Sequence, residues 1–165
     1  MKKLLALDQS SQTTGWAVFS DSDLITYGHF TIRNDDVGVR LQKIREKVQN
    51  LIKDYDINEI VFEDIQLQDT NNVKVFKVLA EVFGVIYELA TELQIPNTAV
   101  LSSTWRSGLK INDASKRAIQ KQHAKDYVKQ VYNLTPTEDE CDAICIGTYK
   151  IKKPMPATNE MFYWE

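Results

Sequence analysis

Residues 5–19 read LALDQSSQTTGWAVF: an apolar run stopping at Asp8, a polar turn from Gln9 to Thr14, then Gly15 opening a second apolar run at Trp16–Phe19. Short apolar runs bounded by turn residues read as strands. After the turn Ser20–Asp23, Leu24–Ile32 gives a third, and the three predict an antiparallel meander. A strand whose apolar run ends on a carboxylate is the feature from which the rest follows, because the pattern recurs. Glu59–Asp64 (EIVFED) is a compact strand that also stops at acids.

Between and beyond these strands the periodicity turns helical. Val37, Leu41, Ile44, Val48, Leu51 and Ile52 recur at helical spacing over Val37–Tyr55. Asn71–Leu93 is the longest expected helix, with Thr70 or Asn71 as its cap and Pro96 just past its end. It carries two apolar stripes, one of Phe76, Leu79, Phe83, Ile86, Ala90 and Leu93, the other of Val75, Val78, Val82, Val85 and Leu89. A helix apolar on two faces needs two partners. One is the sheet; for the other we expect a second copy of the chain, with Gly84 permitting close approach. Asn97–Leu101 reads as a fifth strand, Ser115–Tyr132 as a basic amphipathic helix and Glu138–Tyr149 as a last helix that starts among acids. The order βββαβαβαα predicts an α/β fold: a five-stranded mixed sheet, three-strand meander plus parallel strands, flanked by helices.

Composition sets the bounds. The chain has 165 residues, 43% apolar and 26% charged, which suits one soluble globular domain. We assign residues 1–150 to that domain and 151–165 to a tail. The opening MKKLLAL is interrupted at Asp8 and no run reaches membrane-spanning length, so a cytoplasmic protein is expected. Cys141 and Cys145 are too few for a structural zinc site and read as small core residues. Net charge is −3, yet Thr104–Asn133 alone carries +5, through Arg106, Lys110, Lys116, Arg117, Lys121, Lys125 and Lys129 against Asp113 and Asp126. Such a local patch is the footprint expected for phosphate contacts; a solvated helix face is the plainer reading of the same charges.

The chemistry is concentrated in four acids. Asp8 and Glu63 end strands, and Asp139 and Asp142, three apart, project from one face of a helix start. Taken singly, each has a structural explanation as turn residue, cap or edge charge. Together they would repel one another, and divalent cations remove that repulsion. Oxygen ligands without histidine or cysteine suit Mg²⁺ or Mn²⁺ over zinc. Two such ions, roughly 4 Å apart, activate a water and stabilise a leaving oxygen in phosphodiester hydrolysis.

In LALDQSSQTTGWAVF, IVFEDIQ (residues 60–66) and DECDAICIG (139–147), in that order, the chain resembles the RuvC family of Holliday junction resolvases, within the ribonuclease H-like superfamily. It is most like their small phage-borne branch. The resemblance spans residues 1–150 and implies a metal-dependent endonuclease that nicks four-way DNA junctions as a homodimer. It implies two Mg²⁺ per active site, with Mn²⁺ able to substitute, held by Asp8, Glu63, Asp139 and Asp142. It also implies that the two-striped helix forms the dimer contact, which we place at Val75, Val78, Val82, Val85 and Leu89, and that Arg106 and Lys116 lie near the family's phosphate-contacting positions; from the basic patch we add Lys110, Arg117 and Lys121. Three departures stand out. The family's Asp-Pro-Gly is Asp8-Gln9-Ser10 here. Ile65, Gln66 and Leu67 occupy the stretch where cellular members place a junction-opening phenylalanine. Glu138 and Glu140 flank Asp139 as rivals for the fourth metal position. Alternative functions are a hybrid or flap nuclease of the same fold and a non-catalytic junction-binding module. An actin-like ATPase shares the strand-Asp-turn-Thr-Gly opening but needs a much longer chain.

Overall fold

Leu4, Leu5, Ala6 and Leu7 are all shielded from solvent because the strand that carries them has a helical layer on each face. The computed structural model describes residues 1–66, 73–112 and 116–152. Its sheet contains β1 (Lys3–Asp8), β2 (Thr13–Ser20), β3 (Asp23–Thr31), β4 (Glu59–Glu63) and β5 (Asn97–Val100), in the order β3-β2-β1-β4-β5. β1, β2 and β3 form the expected antiparallel meander, and β4 and β5 extend the sheet parallel to β1.

Alternation along the strands divides the core in two. Leu5, Leu7, Val18, Ile60 and Phe62 pack against α1 (Val37–Asp54) and α2 (Val73–Glu92). Leu4, Ala6, Ala17, Phe19 and Val61 pack on the other side, among residues of α3 (Ser102–Gly108), α4 (Arg117–Tyr132) and α5 (Glu138–Lys152). Asp36 caps α1 by accepting from the Val39 amide at 3.1 Å, and α4 ends on Asn133 in the left-handed conformation, φ 57°. Cys141 and Cys145 are free and buried. Among the described residues no helix is long and apolar enough to cross a membrane.

Two elements differ from expectation. The short helix α3 follows β5 directly and has no counterpart in the periodicity, because seven residues are too few to show a repeat. The second stripe of α2 is not one surface. Val82 and Leu89 are 1% and 0% exposed and belong to the core beneath the sheet, whereas Val75 is 51% exposed. The expected interface set is therefore corrected: Val82 and Leu89 leave it, because they pack in the core beneath the sheet, which Val75, two turns nearer the helix start, does not join. The cap expected at Thr70 or Asn71, the helix start expected at Ser115, the position of Leu67, and the tail beyond Lys152 lie outside the described residues.

The core assignment makes a direct comparison possible. Leu89→Ala should lower stability in urea by about 2–5 kcal/mol, while Val75→Ala should change it by no more than about 0.5 kcal/mol. Equal losses would mean that α2 packs differently.

Candidate active site

Strand parity fixes where the acids point. Asp8 shares parity with Leu4 and Ala6, and Glu63 with Val61, so both side chains leave the sheet on the face covered by α3, α4 and α5. Leu7 lies opposite Phe62 in the parallel β1–β4 ladder. The residues that follow, Asp8 and Glu63, thus end neighbouring strands side by side.

Gln9 holds this arrangement together. Its side-chain nitrogen donates to the Glu63 carbonyl at 2.6 Å, and its side-chain oxygen accepts from the Glu63 amide at 3.3 Å. A glutamine amide offers the same donor and acceptor as a peptide unit, so it continues the ladder one step past Asp8. The indole of Trp105, fully buried on α3, donates to Glu63 Oε1 at 3.3 Å. Ser10 closes the turn, its hydroxyl donating to the Thr13 carbonyl at 2.6 Å. Neither Gln9 nor Trp105 was singled out by sequence reasoning; the departure from Asp-Pro-Gly at Gln9 was the available signal.

The third contributor arrives on α5. Thr137 and Glu140 form a reciprocal cap: the Thr137 amide donates to Glu140 Oε1 at 2.9 Å, and the Glu140 amide to Thr137 Oγ1 at 3.4 Å. This capped end lies directly against β2 at Gly15, where an added Cβ would overlap the Asp139 carbonyl. Gly15 is itself opposite Asp8. The Thr-Gly of the opening motif therefore has a structural cause: only a residue without a side chain admits the helix start beside Asp8. Asp142, 3% exposed, is then carried into the electrostatic reach of Asp8 and Glu63.

The energetics of this grouping are unfavourable for bare anions. Burial, then the charges of Glu63 and Asp142, push the Asp8 carboxyl well above its ordinary value. Burial also raises Glu63. Asp139, half-buried at the rim, is raised by burial and by Asp142 and Glu138, with Lys121 opposing. The two rival glutamates are otherwise engaged. Glu138 faces outward toward Lys125 at 3.5 Å. Glu140 gives one oxygen to the cap and the other to His29 Nδ1 at 3.0 Å. Burial works against its ionisation, but those bonds hold its carboxyl below the ordinary value.

Two expected phosphate contacts are corrected. Arg106 is 4% exposed, lies 4.2 Å over the Trp105 ring and donates to Ser102 Oγ and the Gln120 carbonyl. Its Nη2 is 3.7 Å from Asp142 Oδ1. Lys121 is turned inward, its ammonium bonded to Asp142 Oδ2. Both cations answer buried carboxylates. Lys110, Lys116 and Arg117 are exposed.

As placed, no three carboxylates, histidines or cysteines among the described residues form a closed ligand set. The groups nonetheless fit a hard divalent cation. Asp142 Oδ1 is buried without a hydrogen-bond partner, and Asp8 and Glu63 present oxygens whose repulsion such an ion would relieve.

The family model described as crossover junction endodeoxyribonuclease RuvC matches residues 4–148. The structure is similar to Thermus thermophilus RuvC in complex with a Holliday junction substrate, with a TM-score of 0.73 and 14% identity, covering 90% of this chain and 92% of that one. It is similar to the Fowlpox virus resolvase in complex with its substrate Holliday junction DNA (TM-score 0.62, 8% identity, 91% and 97% covered). It is also similar to the yeast mitochondrial Holliday junction resolvase (TM-score 0.61, 11% identity, 91% and 78% covered). No curated protein sequence matches. At these identities the likeness speaks for the fold, which is the ribonuclease H-like one expected.

The raised Asp8 carboxyl has a measurable sign. A carboxyl whose folded pKa lies above its unfolded one stabilises the fold below the unfolded pKa, and that contribution is lost as pH rises through the folded pKa. Without divalent ions the melting temperature should therefore fall as pH is raised from about 4 to about 8, and Asp8→Asn should flatten that fall. A wild-type curve that rises over this window would show the acids to be well solvated. Gly15→Ala should lower the melting temperature and activity together, since α5 must retreat from Asp8; an unaffected protein would remove the close approach from the account.

Proposed function

The chain belongs to the RuvC family of crossover junction endodeoxyribonucleases, and from that premise we propose that it resolves four-way DNA junctions by metal-dependent hydrolysis at Asp8, Glu63, Asp142 and Asp139. The observation that carries this reading is the buried convergence of Asp8, Glu63 and Asp142 at the ends of β1 and β4 and the start of α5. As a family member it is a hydrolase of DNA phosphodiester bonds, and divalent-metal dependence comes with the family. An all-oxygen donor set favours Mg²⁺, with Mn²⁺ as substitute. When bound, such ions supply an activated water and stabilise the departing oxygen.

The protein's own groups do the positioning. Gln9 and Trp105 hold Glu63 from the backbone side and from the side chain. The cap of Thr137 and Glu140 fixes the helix start that bears Asp139 and Asp142. Asp139 takes the rim position, since Glu138 and Glu140 are engaged elsewhere. Phosphate contacts fall to Lys110, Lys116 and Arg117. Lys110 lines a surface groove of about 930 Å³ together with Ser103, Thr104, Ser107, Asn112 and Lys152. Hydroxyls and lysines of that kind bind a phosphodiester backbone without reading its sequence.

Paired nicking needs two sites, and α2 offers the contact. Val73, Val75 and Tyr87 are 72%, 51% and 53% exposed on this helix. A Cβ on Gly84 would meet nothing. The exposure of Val73 and Tyr87 on the same face as a bare glycine suits a second copy of the chain, while Val75, Val78 and Val85 project from another side of the helix. The nuclease domain is taken as residues 1–150, acting in a bacterial cytoplasm in recombination, repair or the debranching of phage DNA.

Purified protein given labelled four-way, flap, duplex and hybrid substrates with Mg²⁺ should cut the four-way junction in paired fashion, and chelator should stop it. Asp8→Asn, Glu63→Gln and Asp142→Asn should each abolish cleavage and leave junction binding in place; wild-type rates from any one would remove it from the site. Lys116→Ala with Arg117→Ala should reduce the salt slope of binding by about 2. Gly84→Arg should give monomers by light scattering with no loss of melting temperature, and persistent dimers would exclude this face.

A further inference from the structure

Lys121 is the only described cation bonded to Asp142 Oδ2, and its surroundings suggest a role other than holding phosphate in the resting protein. It stands on the inner face of α4, one turn before the buried Ala124 and two before the buried Val128. Its side chain is 15% exposed and that of Asp142 4%. The ammonium acts on all four carboxylates at once, opposing the repulsion among Asp8, Glu63, Asp139 and Asp142. Arg106, the other nearby cation, is pinned by Ser102, Gln120 and Trp105 and stays 3.7 Å away. Of the two, only Lys121 has a flexible stem with which to leave.

We propose that Lys121 is a built-in counter-cation that occupies the carboxylate site until a divalent ion displaces it. This inference rests on the metal-site reading above. A divalent ion needs the Asp142 oxygens that Lys121 now engages, and two cations cannot share them without strong repulsion. Loading the site therefore requires the ammonium to retreat. Arg117, whose charge reaches Lys121 along α4, stands at the exposed start of that helix beside Lys116. The retreat moves Lys121 from the acids to the basic end of α4, where a DNA phosphate would meet it. Metal loading and backbone contact then become reciprocal: each ligand raises the affinity for the other through one side chain. The site is also spared the full repulsion of its acids while empty.

The test uses the whole protein without DNA, with Mn²⁺ as the probe. Lys121→Met should bind Mn²⁺ at least about fivefold more tightly than wild type, the lower end of ordinary coupling between linked sites. In chelator the same variant should melt lower than wild type, and saturating Mn²⁺ should close the gap. Lys121→Arg should restore wild-type Mn²⁺ affinity. A variant binding no tighter than wild type overturns the inference alone. A wild-type protein that takes up no Mn²⁺ refutes the metal site itself, and the inference with it. Should Lys121→Met fail to fold, wild-type protein answers the question through lysine acetylation read by mass spectrometry. Lys121 should be slow to react in chelator and faster with Mn²⁺; a rate that is unchanged or reduced overturns the proposal.

Discussion

Two carboxylates placed side by side, away from water, cannot both stay charged unless something positive stands between or beside them. Asp8 and Glu63 are in that position because β1 and β4 are parallel neighbours ending together, with side chains of equal parity. The remaining features of this end of the molecule answer that constraint. Asp8 keeps a proton more firmly than a free carboxyl would. Lys121 and Arg106 are drawn inward, leaving the positive surface that their charges alone would suggest. Asp142 retains a buried oxygen with no hydrogen-bond partner. A fold selected for stability alone would replace these acids with apolar groups. Their retention is intelligible if the site exists to receive cations of higher charge than lysine.

Such a site must also be rigid, since bare anions would otherwise swing apart. The rigidity is supplied by devices that cost little in sequence. Gln9 mimics a peptide unit and ties Glu63 to the chain beyond Asp8. Gly15 removes the one side chain that would hold α5 off the sheet. Thr137 and Glu140 satisfy orphan amides of α5, so the helix can begin at the sheet edge without relying on water. Burial of Asp142 then follows from helix geometry, because it lies on the face that packs against β1 and β2.

The ends of strands and their acids were legible in the sequence because a strand buried on both faces reads as an unbroken apolar run, and the residue that breaks it marks the edge. Chain order did the rest. What stayed hidden depends on contacts between residues far apart in sequence. The Gln9–Glu63 pairing spans 54 positions and the Trp105–Glu63 bond spans 42, and no local period announces either. Charge counting placed Arg106 and Lys121 in a basic patch because composition has no inside or outside. In the fold, an ordinary surface charge such as Lys116 and a buried counter-ion such as Arg106 lie on neighbouring elements. The two stripes of α2 failed for a related reason: valine is equally at home in a core and at an exposed apolar face, so Val75 and Val82 look alike until burial separates them.

The contrast between an acidic pocket and its basic surroundings bears on how substrate and ions reach the site. A phosphodiester approaching four unneutralised carboxylates is repelled at close range, whereas Lys110, Lys116 and Arg117 attract it from a distance. The order of events is therefore constrained by charge. On the proposed reading, DNA is held by the rim while the acids still lie under their own counter-ion, and a phosphate enters the carboxylate cluster only after divalent charge has arrived there. A chain of net charge −3 can perform both tasks because exposed cations stand at the start of α4 and others, Lys110 and Lys152, line the groove beside α3. On that reading, the placement of charge, more than its sum, directs the backbone to the acids.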